Sequence, residues 1–121
     1  MEELRKLERC QANRYLGVYD QKTGKLLGCI VDLSLDGIQL FGKETFRDGS
    51  IYKLKLILHK EIDGACDLFF EAKNAWCIEH AELGMYAAGF ELVNLGEKTK
   101  ERIEKLIQSS AFKKIPVEFL D

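Results

Sequence analysis

Proline is nearly absent from the chain: Pro116 is the only one in 121 residues. Cysteine is sparse as well, with four residues at positions 10, 29, 66 and 77 and no C-x-x-C pair among them. The two histidines, His59 and His80, lie in separate segments, so the paired ligand spacing of a zinc site is missing. The reading that remains is a reduced, cytoplasmic protein whose cysteines fill core positions. No apolar run exceeds a handful of residues, too few to span a membrane. The opening Met1-Glu2-Glu3-Leu4-Arg5-Lys6 is acidic where a secretory signal is basic, and no apolar stretch follows, so no leader is expected. Charge excess of one sign is also lacking, with 18 Lys and Arg against 20 Asp and Glu. Proteins that neutralise phosphates along a duplex carry a basic surplus, so duplex nucleic acid is not an expected partner. Any anionic ligand has to be small and met by a local cluster of cations.

Catalytic signatures are missing too. There is no Walker-type phosphate loop, no G-x-S-x-G elbow and no H-E-x-x-H. The many carboxylates fall mostly on alternating wet faces, where they read as solvated surface. No enzyme, metal site or cofactor is expected.

What the chain does have is alternation. Tyr52, Leu54, Leu56 and Leu58 point one way while Lys53 and Lys55 point the other, the period-two pattern of a sheet with one wet face. Tyr86, Ala88, Phe90 and Leu92 form a second such set, and Leu27, Cys29, Val31 and Leu33 a third. Leu68, Phe70, Ala72, Asn74 and Trp76 make a weaker fourth, in which Asn74 spoils the apolar face. Turn signals at Lys22-Thr23-Gly24, Asp48-Gly49, Asp63-Gly64 and Glu82-Leu83-Gly84 separate the runs. Tyr15 to Asp20 reads as the opening strand. The fold class is therefore all-β with a flanking helix: about six antiparallel strands at short spacing, closed or nearly closed into a small barrel. Glu97 to Ser109 places Ile103, Leu106 and Ile107 on one stripe and reads as the helix. Glu2 to about Gln11 reads as a short amphipathic helix with Leu4 and Leu7 inward.

One segment carries chemistry. Asp32-Leu33-Ser34-Leu35-Asp36-Gly37 joins two apolar strands. As a plain turn, Asp32 and Ser34 satisfy nearby backbone N–H groups and Gly37 takes a positive φ. The same backbone also projects a carboxylate and a hydroxyl from one face, where they can accept from and donate to a nucleobase edge. Upstream, Arg5 and Arg9 stand four residues apart, so on a helical turn they share one face. Guanidinium forks suit phosphate oxygens and stack on purines; the plainer reading is a solvated helix surface with weak ion pairs.

Arg-x-x-x-Arg, an interval of one strand, a Gly turn and a returning strand, then Asp-x-Ser-x-x-Gly opening a barrel, resembles the PilZ domain family. The resemblance covers nearly the whole chain: N-terminal arm, barrel of split-barrel type, Trp76 in the long fifth strand, and C-terminal helix. It implies an arginine arm over 1–13, the barrel over 14–93, the helix over 94–110 and an apolar tail over 111–121, all one domain. It also implies binding of the bacterial second messenger cyclic di-GMP, with Arg5 and Arg9 as the arm and Asp32, Ser34 and Gly37 holding a base. The signal then leaves through a protein effector that meets a newly ordered arm.

Leu4 stands where many members carry a further arginine. A defective arm would make the chain a nucleotide-independent docking module, for instance in pilus or flagellar control. A third reading, a barrel for single-stranded nucleic acid, calls for aromatics among basic residues. Trp76 and the Phe69-Phe70 pair have acidic neighbours instead, Asp67 and Glu71. Phe112, Ile115, Val117, Phe119 and Leu120 make the tail too apolar to be free; it packs on the barrel or forms a homodimer contact.

Overall fold

The structure is a computed structural model. It describes residues 16–58 and 67–108 with their side chains, and the backbone of residues 10–12 and 112–114. The strands are β1 (Cys10–Ala12), β2 (Gly17–Asp20), β3 (Leu26–Leu33), β4 (Gly37–Gly42), β5 (Ile51–Leu56), β6 (Leu68–His80), β7 (Met85–Val93) and β8 (Phe112–Lys114), with helix α1 (Glu97–Ile107) between β7 and β8.

Six of them close an antiparallel barrel in the order β2-β5-β6-β7-β4-β3, sealed by pairing of β2 with β3. The predicted six-stranded barrel with a C-terminal helix is thus observed. Closure removes the free edges that an open sheet of this size would expose. Three of the four predicted turns appear with their glycines at positive φ, Gly24, Gly49 and Gly84; the fourth, Asp63-Gly64, lies outside the described residues. Leu54, Leu56, Leu68, Phe70, Ala72, Leu40 and Phe90 fill the interior. Helix α1 lays its predicted stripe of Ile103, Leu106 and Ile107 into that same core. The Arg102 guanidinium donates to the Asp67 carbonyl at 3.3 Å, which ties the helix to the start of β6. On the connection between β4 and β5, Phe46 meets Phe90 and Tyr52 edge-on, with ring centroids 4.9 and 5.3 Å apart. Cys29 and Cys77 are free and half-buried.

Several expectations need correction. Cys10–Ala12 is a strand, so a helix from Glu2 does not reach Gln11; residues 1–9 lie outside the described part. The opening strand is therefore β1, and the run predicted from Tyr15 begins at Gly17. β1 and β8 pair with each other, and β1 continues the sheet from β3, so the tail contributes at least Phe112–Lys114 to the fold.

Strict alternation also fails in β3. Its pairing shifts by one residue against β2 between Val18 and Tyr19, and against β4 between Ile30 and Asp32. The inward residues are consequently Leu27, Ile30 and Leu33, while Cys29 and Val31 are only half-buried.

Candidate functional site

The turn after β3 is held by its own serine. Ser34 is buried at 8% exposure, and its Oγ accepts from the backbone N–H groups of Asp36 at 3.2 Å and Gly37 at 3.3 Å. Its own N–H donates to the Gly37 carbonyl at 2.9 Å, closing the loop. Among the described residues no acceptor takes the hydroxyl proton, and a ligand acceptor could do so. Gly37 is required here, although the reason differs from the expected one. Its φ is not positive; instead a Cβ there would stand 2.6 Å from the Phe90 carbonyl oxygen. The glycine is what lets the turn press against β7.

Across β7 lies the second surprise. β6 runs Leu68, Phe70, Ala72 and Asn74 inward, all buried. Regular alternation would bury Trp76 next, as the sequence pattern suggests. A bulge intervenes: Asn74 pairs with Phe90 and Trp76 with Gly89, so Ala75 is an extra residue. Trp76 therefore points outward, 39% exposed. Its indole lies so close on Gly89 that a Cβ there would overlap the ring.

Between turn and indole runs a groove of about 520 Å³, lined by Asp32, Ser34, Gly37, Gln39, Trp76 and Glu91, among others. Pairing explains the convergence. Asp32 stands opposite Gln39, Gln39 opposite Gly89 and Gly89 opposite Trp76, a single row across four strands. The row continues in register to Gln11 of β1.

Of the predicted site residues, Asp32, Ser34 and Gly37 meet here, while Arg5 and Arg9 lie outside the described residues. Sequence reasoning missed Gln39, Trp76 and Glu91. Gln39 was within reach, because a short hairpin fixes the register of β4 against β3. Trp76 was hidden by the bulge.

The groove's charge is one-sided. Asp32, Asp36 and Glu91 line it, and no lysine or arginine does among the described residues. Carboxylates and carbonyls suit the N–H donors of a base edge and the indole face suits a flat ring, but an anion would need cations brought from elsewhere. Among the described residues no group of three His, Cys, Asp or Glu side chains could hold a metal. No helix among them is long and apolar enough to cross a membrane.

Residues 3–109 match the PilZ domain family. None of the curated proteins matches the chain in sequence. Among solved structures, it resembles the PilZ domain with c-di-GMP of YcgR from Escherichia coli, with a TM-score of 0.64 at 14% identity, covering 84% of this chain and 87% of that one. The MrkH–c-di-GMP complex from K. pneumonia gives a TM-score of 0.65 at 17% identity, over 84% of this chain and 50% of that one. The inhibitor of motility MotI/DgrA from Bacillus subtilis gives 0.61 at 13%, over 84% and 49%. The chain thus spans about half the length of the MrkH and MotI chains.

Proposed function

The chain belongs to the PilZ domain family, and on that premise we propose that it is a cytoplasmic receptor for cyclic di-GMP that reports to a protein effector. The observation that carries this reading is the convergence of Asp32, Ser34 and Trp76 on one groove. Asp32 and the Ser34 hydroxyl engage a guanine edge, and the Trp76 indole offers the purine a stacking face. Because the lining is acidic, the phosphates fall to the arm. Arg5 and Arg9 grip them, and β1, which begins one residue after Arg9, runs opposite Leu33 and Asp32. The arm thereby enters the barrel beside the motif. Ligand binding draws Arg5 and Arg9 onto the phosphates beside β1, which is already part of the sheet, and so changes the surface that the effector meets. Nothing in this scheme calls for catalysis.

A compact dianion needs few contacts: charge-assisted hydrogen bonds contribute about 1.5–3 kcal/mol each, and micromolar affinity corresponds to about 8 kcal/mol. Calorimetric titration at one fixed salt concentration tests the scheme. Arg9→Ala is expected to weaken binding roughly ten- to a hundredfold, whereas Arg14→Ala, at a position whose spacing from Arg9 is one residue too wide for the Arg-x-x-x-Arg pair, is expected to leave it nearly unchanged. Loss of binding in Arg14→Ala with Arg5→Ala and Arg9→Ala intact would reassign the arm. No binding by the unaltered chain at high micromolar ligand would leave the docking-module reading in its place.

A further inference from the structure

Asn74 sits where the fold asks for an apolar residue. It follows Leu68, Phe70 and Ala72 on the inward face of β6 and is 1% exposed. Its Nδ2 donates to two carbonyls, Trp76 at 3.1 Å and Gly89 at 3.2 Å. Both partners can only accept, so the amide nitrogen is the atom that must face them. The Oδ1 is then left in the core without a hydrogen-bond partner among the described residues. A buried acceptor without a partner is destabilising, so stability alone would favour valine or leucine here.

The amide instead answers a local need. At Ala75 the ladder between β6 and β7 is interrupted, and a bulge leaves backbone groups unpaired. The two N–H groups of Asn74 bind one carbonyl on each of the interrupted strands. What depends on that bulge is the direction of Trp76. With the bulge the indole lies outward on Gly89 as a wall of the groove; with regular pairing position 76 would turn inward.

We propose that Asn74 is a positioning residue of the ligand groove: its amide fastens the bulge in β6 and so presents Trp76 as the flat wall for a purine. The ligand half of this statement rests on the receptor reading above. The positioning half does not.

Trp76 is the only tryptophan in the chain, so intrinsic fluorescence reports this residue alone. Asn74→Val removes both donors at a site suited to an apolar side chain. The expected result is a folded protein with a shifted emission maximum, altered quenching by acrylamide, and about tenfold weaker cyclic di-GMP binding. Asn74→Thr, which keeps one hydroxyl donor, is expected to fall between the two proteins, and it decides by the same readouts if the valine variant does not fold. Trp76→Ala alone is also expected to weaken binding about tenfold. Adding Asn74→Val to it is expected to cost less than about twofold more, because both act through one side chain. Multiplied losses would overturn the proposal, as would an Asn74→Val protein whose emission, quenching and affinity equal those of the parent. Should the parent chain bind no cyclic di-GMP, the receptor reading fails alone. Emission and quenching of the ligand-free variants would still decide whether Asn74 sets Trp76.

Discussion

The two halves of β6 share one strand and follow opposite rules. From Leu68 to Lys73 the strand pairs with β5 in unbroken register, Leu56 opposite Leu68 through Ile51 opposite Lys73. Buried and exposed residues alternate there as a half-wet sheet requires. From Asn74 onward the register slips, a buried amide replaces an apolar side chain, and the largest aromatic turns to solvent. The first half builds core. The second gives up core to build a wall, with a Gly-for-indole contact on β7 and a Gly-for-carbonyl contact at the turn beside it. Stability and site are thus carried by neighbouring stretches of the same strand, and substitutions can separate them.

The largest effect is expected in the regular half. Leu54 is fully buried opposite Phe70, so Leu54→Ala removes packed methyls and leaves a cavity, costing about 2–5 kcal/mol. Urea unfolding measures the loss, and Trp76 emission in the folded state should not move. A shift in emission there would mean that the two halves are mechanically coupled.

A smaller loss is expected at the groove. Gly37→Ala brings a Cβ to within 2.6 Å of the Phe90 carbonyl, a backbone atom that cannot swing aside as a side chain would. Separation of the turn from β7 is expected to cost about 1–3 kcal/mol, the range for overpacking. It should also weaken ligand binding by more than Leu54→Ala does in the folded protein. Equal affinity in the two variants would dissolve the distinction between them.

How far the fold could be read in advance follows the same division. The Ile51-to-Leu58 alternation, three glycine turns and the α1 stripe announce themselves because each repeats a local rule over several residues. The Asp32–Gly37 turn was legible as a candidate site because a carboxylate, a hydroxyl and a glycine are spaced for one loop. Illegible were the bulges at Val31 and Ala75. A bulge inserts a single residue, carries no composition of its own, and reverses every side chain beyond it. Asn74 was the available signal: a lone amide on an apolar face marks the place where the backbone departs from the ladder. The reason for Gly37 was equally hidden, since close approach to another strand depends on tertiary packing and leaves no mark on the local sequence.

The smallest expected effect lies outside both halves of β6, in the hairpin between β2 and β3, and it sets the floor for the comparison. The Asp20 carboxylate accepts from the Thr23 hydroxyl at 2.8 Å and from the Thr23 N–H at 2.9 Å. The hydroxyl bond is the larger cause and the backbone bond the next, and together they hold the carboxyl below the ordinary aspartate value. A carboxylate with a lowered folded-state pKa binds its proton more weakly in the folded chain than in the unfolded one. Its contribution to stability is therefore complete above the unfolded value of 3.8 and fades as pH falls through the lower folded value. Because the group is solvent-exposed, the effect is expected to be slight. Asp20→Asn keeps an acceptor for Thr23 but removes the charge, so the two proteins should differ by a small, constant margin in melting temperature from about pH 7 to pH 5. Below about pH 4 the margin should close. A margin that widens on acidification would show that the carboxylate is raised, not lowered, by the folded hairpin.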